Sequence, residues 1–193
     1  MRSRTSDDLH GRCRRCYLPD RICPCAGLTP IPTRTEVVIL RHAREAWKST
    51  NSARWAALAL ARCSLVDVDG EDDVPLDKLR GAALLLPGGR PIEEVRPERL
   101  IVLDGTWRQV RRMTTHRVAL RGLPTVSLST VGPVEPLRLR ARPAPAHLST
   151  FEAIAEALRA LEGAEVGDAV AAAHRLFIER VLSTRGVIGV STR

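Results

Sequence analysis

The chain has 193 residues, of which 44% are hydrophobic and 27% are charged. This length and composition describe one globular domain with a full core and exclude a disordered chain. The apolar runs fall short of the roughly 20 residues that a membrane-spanning helix needs, and the first residues lack the apolar segment of a secretory signal. We therefore expect a cytoplasmic protein that makes no membrane contact.

The net charge is +8, and arginine supplies nearly all of the positive charge. The planar guanidinium group suits phosphate, so the composition favours a polyanionic partner. A GC-rich genome would explain the choice of arginine over lysine, but it would not explain the net excess of positive charge.

Four cysteines stand close together near the N-terminus with the spacing C-x2-C-x6-C-x-C. Four thiolates complete the tetrahedral shell of a zinc ion and leave no position for water, so the pattern predicts a structural zinc rather than a catalytic one. Disulfides are the alternative, but a reducing compartment opposes them, and Cys23 lies too near Cys25 to pair comfortably. We predict a zinc module over residues 1–32 with the ligands Cys13, Cys16, Cys23 and Cys25.

Apolar segments alternate with helical patterns over residues 33–193. Strands are predicted at 35–42, 64–70, 82–89, 100–103 and 123–130, and helices after Asn51 or Ser52, after Thr106, after Ser149 and over 168–183. This alternation predicts an α/β domain with a mostly parallel sheet and flanking helices. The third strand ends in Pro87-Gly88-Gly89, which is either a plain β-turn or a place where the backbone approaches a ligand closely.

The loop between the first strand and the first helix is unusually polar. It contains His42, Glu45, Lys48, Thr50 and Asn51. A plain connector does not require such a set, so the loop is a candidate for a functional one. The alternative is that its histidine has only a structural role.

The stretch 100–113 reads LIVLDGTWRQVRRM and is the centre of the pattern. Its apolar start predicts a strand buried on both faces and ending at Asp104, and ligands bind at this carboxyl edge in open α/β sheets. Thr106 can cap the following helix, which carries Trp107 on its apolar side and arginines on the other. The alternatives are that Asp104 only caps the helix, that Trp107 belongs to the core and that the arginines form a solvated face.

Two features precede the C-terminal helices. Arg138, Arg140 and Arg142 alternate, so an extended segment would point them the same way. Ser149 and Glu152 form a capping box, and the helix that it opens offers free N–H groups to a carboxylate or phosphate.

Several motifs occur here in one order: the cysteine cluster, K-S-T-N-S-A-R, L-L-L-P-G-G, D-G-T-W, and R-L-R followed by H-L-S-T-F-E-A-I-A-E-A-L. In this combination the chain resembles the DTW-domain family of tRNA-uridine aminocarboxypropyltransferases over nearly its whole length. The resemblance implies a SPOUT-like, knotted α/β fold over residues 33–193. It also implies transfer of the 3-amino-3-carboxypropyl group of S-adenosylmethionine to N3 of a tRNA uridine, with release of methylthioadenosine. One departure is Leu137, where the family often has a tyrosine.

The resemblance makes Asp104, Thr106 and Trp107 the signature residues, and we expect them to be catalytic. The reaction needs a base for the N3 proton, and Asp104 is the candidate because an apolar setting would raise its pKa. We expect S-adenosylmethionine to contact a set of residues around the sheet edge: Leu86, Pro87, Gly88, Leu103, Gly105, Leu148, Ser149, Thr150 and Glu152. We expect tRNA to contact a second, mostly basic set: Lys48, Asn51, Arg54, Arg108, Arg111, Arg112, Arg138 and Arg140.

Two rival functions remain open on the sequence. A SPOUT-type RNA methyltransferase would use the same donor but release adenosylhomocysteine, and a non-catalytic zinc-containing protein would bind RNA without turnover and would not need Asp104. The sequence does not decide the tRNA species, the uridine position or the oligomeric state, for which we expect a monomer.

Overall fold

A computed structural model describes residues 10–69, 74–129, 137, 139 and 147–185. Its strands are β1 (Glu36–His42), β2 (Cys63–Val68), β3 (Ala82–Pro91), β4 (Arg99–Asp104) and β5 (Thr125–Ser127). Its α-helices are α1 (Ser52–Ala59), α2 (Ile92–Val95), α3 (Trp107–His116), α4 (Val118–Arg121), α5 (Thr150–Glu162) and α6 (Ala164–Thr184). Single 3-10 turns occur at Asp20–Ile22, Ala43–Glu45 and Leu76–Leu79.

The strands form one five-stranded sheet in the order β2-β1-β4-β3-β5, and each neighbouring pair is parallel. β1 and β4 lie in the middle, where both faces are covered, and this position explains their unbroken apolar runs. The predicted α/β architecture with a parallel sheet and flanking helices is therefore confirmed.

Two hydrophobic clusters cover the two faces of the sheet. Side chains from alternate positions of β1 and β4 pack against Trp55, Phe151 and Phe177, which come from α1, α5 and α6. The indole of Trp55 stacks on the ring of Phe177 with centroids 5.0 Å apart. The remaining positions of β1 and β4 face Met113 of α3 and Leu120 of α4. The period-two alternation of a strand thus supplies both layers from one segment.

Three element boundaries differ from the sequence prediction. β3 does not end in a β-turn at Pro87-Gly88-Gly89 but runs on to Pro91, with a shift of register against β5 between Leu85 and Arg90. A Cβ at Gly89 would lie 2.6 Å from the backbone of Thr125, so this glycine permits the close approach of β5. β5 is only three residues long, and α6 begins at Ala164 rather than at residue 168.

The cysteine segment packs against the sheet domain instead of standing apart from it. Cys16 and Leu18 belong to the same buried cluster as Trp55, and the Trp55 indole N–H donates to the carbonyl oxygen of Cys16 at 3.2 Å. Ile31 also forms a β-bridge with Leu60. The division into residues 1–32 and 33–193 stays a prediction, and the two parts share one core.

Within the described part of the chain, none of the helices has the length and apolar character needed to traverse a bilayer.

Candidate active site

Asp104 ends β4 at the carboxyl edge of the sheet and is 6% exposed. Its Oδ2 accepts a hydrogen bond from the Asn51 side-chain amide at 2.7 Å, and its Oδ1 accepts one from the Thr150 hydroxyl at 2.5 Å. Asn51 is the N-cap of α1 and Thr150 is the first residue of α5. Elements far apart in sequence therefore converge on one buried carboxylate.

Burial raises the pKa of Asp104 above its ordinary value. The hydrogen bonds from Thr150 and Asn51 and the charge of Arg41 act in the opposite direction, whereas the negative charge of Glu45 raises the pKa further. Because the net shift is upward, this carboxylate is a better proton acceptor than an ordinary aspartate.

The start of α3 is capped by Thr106 and not by Asp104. The Thr106 hydroxyl accepts from the Gln109 backbone N–H at 3.3 Å, and the Gln109 side chain accepts from the Thr106 N–H at 2.6 Å. This capping box gives Thr106 a structural role and leaves Asp104 outside the helix. The alternative in which Asp104 merely caps α3 is thereby excluded.

The polar loop after β1 is held in place from inside. The Arg54 guanidinium donates to the carbonyl oxygens of Ala46 and Lys48 and lies 3.7 Å above the Tyr17 ring. Arg54 is only 6% exposed. The expectation that Arg54 contacts RNA is therefore wrong, because its guanidinium is buried and occupied by the protein.

A polar cavity of about 340 Å³ opens beside Asp104. The Lys48 ammonium lies 2.5 Å from the Glu45 carboxylate on its wall, and Asn51, although buried, also faces this space. Leu137 lines the same cavity. The cavity thus combines charged groups with an apolar patch.

A second cavity of about 770 Å³ lies on the other side of Trp107 and His147. Trp107 is 54% exposed, so it does not belong to the core, and its ring lies 5.2 Å from that of His147. The residues expected to contact S-adenosylmethionine line this larger cavity, apart from Glu152, which lines the smaller one: Leu86, Pro87, Gly88, Leu103, Gly105, Leu148, Ser149 and Thr150. The structure therefore brings this predicted set together.

A third cavity, of about 630 Å³, is basic and lies beside α3. Arg108 and Arg112 of the predicted RNA-binding set line it, whereas Arg111 is exposed elsewhere on the helix. Asp69 is its acidic member, and its other basic side chains come from β1, from the 3-10 turn after it and from the end of α3: His42, Arg44, His116 and Arg117. Arg138 and Arg140, together with Arg142, lie outside the described residues.

Sequence reasoning missed several of these residues. His147 lines both the cavity beside Asp104 and the cavity of about 770 Å³, and its Nδ1 is buried without a hydrogen-bond partner among the described residues. Its position just before the capping box at Ser149 could have marked it as a candidate site residue. Arg44 and Arg117 carried no signal, because only folding brings them beside Arg108.

The cysteine cluster has the geometry of a metal centre. The sulfur atoms of the four residues all lie within 4.8 Å of one another, and those of Cys16 and Cys23 are 3.6 Å apart. Ligands about 2.3 Å from a tetrahedral ion would be separated by roughly 3.8 Å. Backbone N–H groups of Arg15 and Cys25 point at the sulfurs of Cys13 and Cys23, each at 3.4 Å, as expected around thiolate ligands. Cys13, Cys16, Cys23 and Cys25 could therefore hold a metal ion.

Comparisons with known proteins show the family of this chain. The model of the DTW domain matches residues 10–182. The chain is 30% identical to tRNA-uridine aminocarboxypropyltransferase 2 of Drosophila melanogaster over 168 residues, which cover 78% of this chain and 66% of the fly protein. The proteins of the same name from Mus musculus and Macaca fascicularis are each 29% identical, with 56% of their length covered.

The chain thus spans less than two thirds of the length of these curated relatives. No solved structure matches it. The matched range includes both the cysteine cluster and the whole parallel sheet. The chain belongs to the DTW domain family.

Proposed function

We propose that this protein is a tRNA-uridine aminocarboxypropyltransferase that uses S-adenosylmethionine as its donor. The observation that carries the proposal is Asp104, a buried carboxylate of raised pKa that lines a polar cavity at the carboxyl edge of a parallel sheet. The names of the curated relatives support the substrate class and the transferred group.

Asp104 is the general base in this proposal. It takes the proton from N3 of the uracil ring as the nitrogen attacks the carbon γ to the donor's carboxylate. The new N3–Cγ bond forms, the Cγ–S bond breaks, and its electron pair stays on sulfur, so that neutral methylthioadenosine leaves. Asn51 and Thr150 hold the carboxylate in one orientation, which favours the reaction by positioning.

The larger cavity suits the adenosine part of the donor. Its walls include Leu86, Val102, Leu103 and Val110, and Trp107 stands at its mouth with an exposed ring on which a base can stack. The space of about 770 Å³ is within the range that small-molecule sites occupy.

The tRNA backbone is proposed to follow α3. Arg108, Arg111 and Arg112 are exposed on this helix, and the basic cavity beside it adds further cations next to Thr106. Phosphate contacts of this kind position an RNA without reading its sequence. The net charge of +8 agrees with such a partner.

The metal ion is proposed to be zinc with a structural role. Four sulfur ligands complete the shell of zinc, and the cluster packs on the core through Cys16 rather than opening into a cavity at the sheet edge.

We also propose that the fold is SPOUT-like and knotted. The all-parallel sheet with β4 placed between β1 and β3 supports this class, and much of the segment joining β5 to α5 lies outside the described residues.

A reducing compartment keeps the four clustered cysteines available as zinc ligands, so we propose a cytoplasmic protein, with a monomer as the working oligomeric state.

The test is incubation of the purified protein with unmodified tRNA and S-adenosylmethionine, followed by mass spectrometry of the nucleosides and of the released by-product. We expect a uridine that carries the aminocarboxypropyl group, together with an equal amount of methylthioadenosine. Release of adenosylhomocysteine with a methylated nucleoside would show a methyltransferase instead. Tight tRNA binding without any product would favour the non-catalytic RNA-binding function.

A further inference from the structure

A carboxylate and an ammonium group stand side by side on the wall of the polar cavity that contains Asp104. Glu45 Oε1 and Lys48 Nζ are 2.5 Å apart, and both residues line the cavity. The Glu45 side chain is 9% exposed, whereas that of Lys48 is 39% exposed. A nearly buried carboxylate is costly unless it is well paired, and here its one described ion-pair partner is a half-open lysine.

The ion pair is not what holds this loop in place. Arg54 fixes the carbonyl oxygens of Ala46 and Lys48, the Asn51 N–H donates to the Lys48 carbonyl at 3.1 Å, and His42 caps the 3-10 turn that carries Glu45. A partly exposed pair three residues apart contributes little to stability. The two charges are therefore presented on a rigid backbone that does not depend on them.

We propose that Glu45 and Lys48 bind the amino-acid end of the donor, with the α-ammonium group at Glu45 and the α-carboxylate at Lys48. The inference rests on the proposed function and names the residues that recognise the transferred group. A fixed pair of opposite charges matches a zwitterion, because each protein charge exchanges its partner for one on the ligand. Lys48 is then a donor-binding residue and not the RNA contact that the sequence suggests.

This assignment explains which carbon of the sulfonium would be attacked. The amino-acid end lies in the cavity of Asp104, and the adenosine part extends past Trp107 into the larger cavity. The carbon chain that joins them then exposes Cγ, rather than the methyl group, to a nucleophile beside Asp104. Because Glu45 neutralises the ammonium group, Asp104 keeps its free lone pairs for the N3 proton.

The experiment compares two neutral thioethers, S-adenosylhomocysteine and methylthioadenosine, which differ by the amino-acid end. Binding of both to the full chain is measured by calorimetry, together with S-adenosylhomocysteine analogues that lack the α-amino or the α-carboxyl group. The wild-type protein is expected to prefer S-adenosylhomocysteine over methylthioadenosine by roughly tenfold or more.

Two substitutions, combined with the two analogues, give a double-mutant cycle in which a protein charge and a ligand charge are removed separately and together. Glu45→Gln should abolish the preference for the α-amino group, and Lys48→Met should abolish the preference for the α-carboxyl group, while affinity for methylthioadenosine stays unchanged in both. Glu156→Gln is the matched control, because Glu156 and Arg159 also form an ion pair three residues apart, on α5 and away from the three cavities described above. The Glu156→Gln variant should retain the full preference for S-adenosylhomocysteine over methylthioadenosine.

The outcomes separate the inference from the proposed function. If the protein binds both thioethers but Glu45→Gln and Lys48→Met discriminate among the analogues as the wild type does, the inference is overturned and the proposed function stands. If Lys48→Met weakens tRNA binding but leaves the binding of the adenosine compounds unchanged, Lys48 is an RNA contact and the inference is overturned. If the wild-type protein binds none of the adenosine compounds, both are overturned. A variant that loses affinity for methylthioadenosine as well would show a structural role for the pair and would also contradict the inference.

Discussion

Acidic groups lie close together in two parts of the molecule, the cysteine cluster and the carboxyl edge of the sheet, and their charge is compensated differently in each part. In the cysteine cluster, hydrogen bonds reach the sulfurs from backbone N–H groups and from one another. Burial raises the pKa of Cys25 to about 12 and also raises that of Cys16, whereas hydrogen bonds outweigh burial at Cys13 and lower its pKa to about 7, so the cluster without an ion favours protonated thiols at Cys16 and Cys25. A cation from outside the chain would relieve this crowding.

At the sheet edge, by contrast, the chain provides its own partners. Asp104 receives neutral donors from Asn51 and Thr150, and Glu45 receives the ammonium of Lys48. Neutral donors orient a carboxylate without cancelling its charge, so Asp104 remains able to accept a proton. A site built for a metal thus gathers thiols that lose their protons only when the ion binds, whereas a site built for proton transfer keeps a carboxylate whose charge is available to the substrate.

The largest effect is expected from breaking the cysteine cluster. Cys16→Ser removes a fully buried ligand and leaves three sulfurs, so metal affinity should collapse and the segment that covers Trp55 should loosen. Loss of a few kcal/mol would lower the melting temperature by about 10 °C in a domain of this size. The measurements are elemental analysis and thermal unfolding followed by tryptophan fluorescence.

Cys63→Ser is the matched control for this substitution. Cys63 opens β2 outside the cluster, and burial raises the pKa of its thiol to about 12, so it should not be a thiolate ligand. The control protein should retain its full metal content. Protein purified without chelator that contains no metal, or that contains iron with a visible cluster spectrum, would contradict the zinc assignment.

The next largest effect is expected from replacing Asp104 at the carboxyl edge of the sheet. Asp104→Asn keeps the size of the side chain but removes the proton acceptor, so turnover should fall by roughly 10²–10⁴-fold. In the wild-type protein, turnover should rise with pH through the pKa of Asp104, which lies above the ordinary value of about 3.9 because of burial. Single-turnover transfer with saturating tRNA and donor measures both quantities.

The control is Asp67→Asn on the neighbouring strand. Asp67 and Asp104 both lie opposite Arg41 in the sheet register, on the two sides of β1, and Asp67 forms an ion pair with the Arg41 guanidinium at 2.6 Å. Asp67 lines none of the cavities described above and reaches Asp104 only through the charge of Arg41, so any loss of turnover in this variant should be much smaller than that in Asp104→Asn. Near-parental turnover in Asp104→Asn would remove Asp104 as the base, and loss of donor binding at unchanged stability would make it a donor-binding residue.

The strands and the position of Asp104 could be predicted because they depend on local pattern. The run before Asp104 is apolar without interruption, as a strand covered on both faces requires, and the next residues contain a cap and a helical repeat. The same holds for the capping box at Ser149 and for the four cysteines, whose spacing is a property of the chain itself.

The contacts that depend on strand order could not be predicted. Only the placement of β4 beside β1 brings Asp104 to Asn51, and only the packing of α5 on this edge brings Thr150. In sequence, Arg54 looks like the surface arginines, yet it is buried because the loop before α1 folds over it. Gly89 looks like part of a turn, although it is needed for the close approach of β5, a partner more than 30 residues away.

The smallest effect is expected on the surface of α3, where charges are exposed and act through solvent. Changing Arg108, Arg111 and Arg112 together to Gln should weaken tRNA binding and reduce the salt dependence of the association constant. The slope of log K against log salt should fall by about 0.7–0.9 for each lost phosphate contact. Stability should change little, because these side chains lie outside the core.

The matched control changes Arg34, Arg62 and Arg96 to Gln, which removes the same charge from the opposite edge of the sheet. These residues precede β1, β2 and β4, whereas α3 follows the carboxyl end of β4. Both triple variants carry the same net charge, so a difference in their salt slopes reports position and not general attraction to a polyanion. Equal slopes in the two variants would mean that the tRNA backbone does not follow α3, and the proposed RNA surface would have to be moved away from the mouth of the Asp104 cavity.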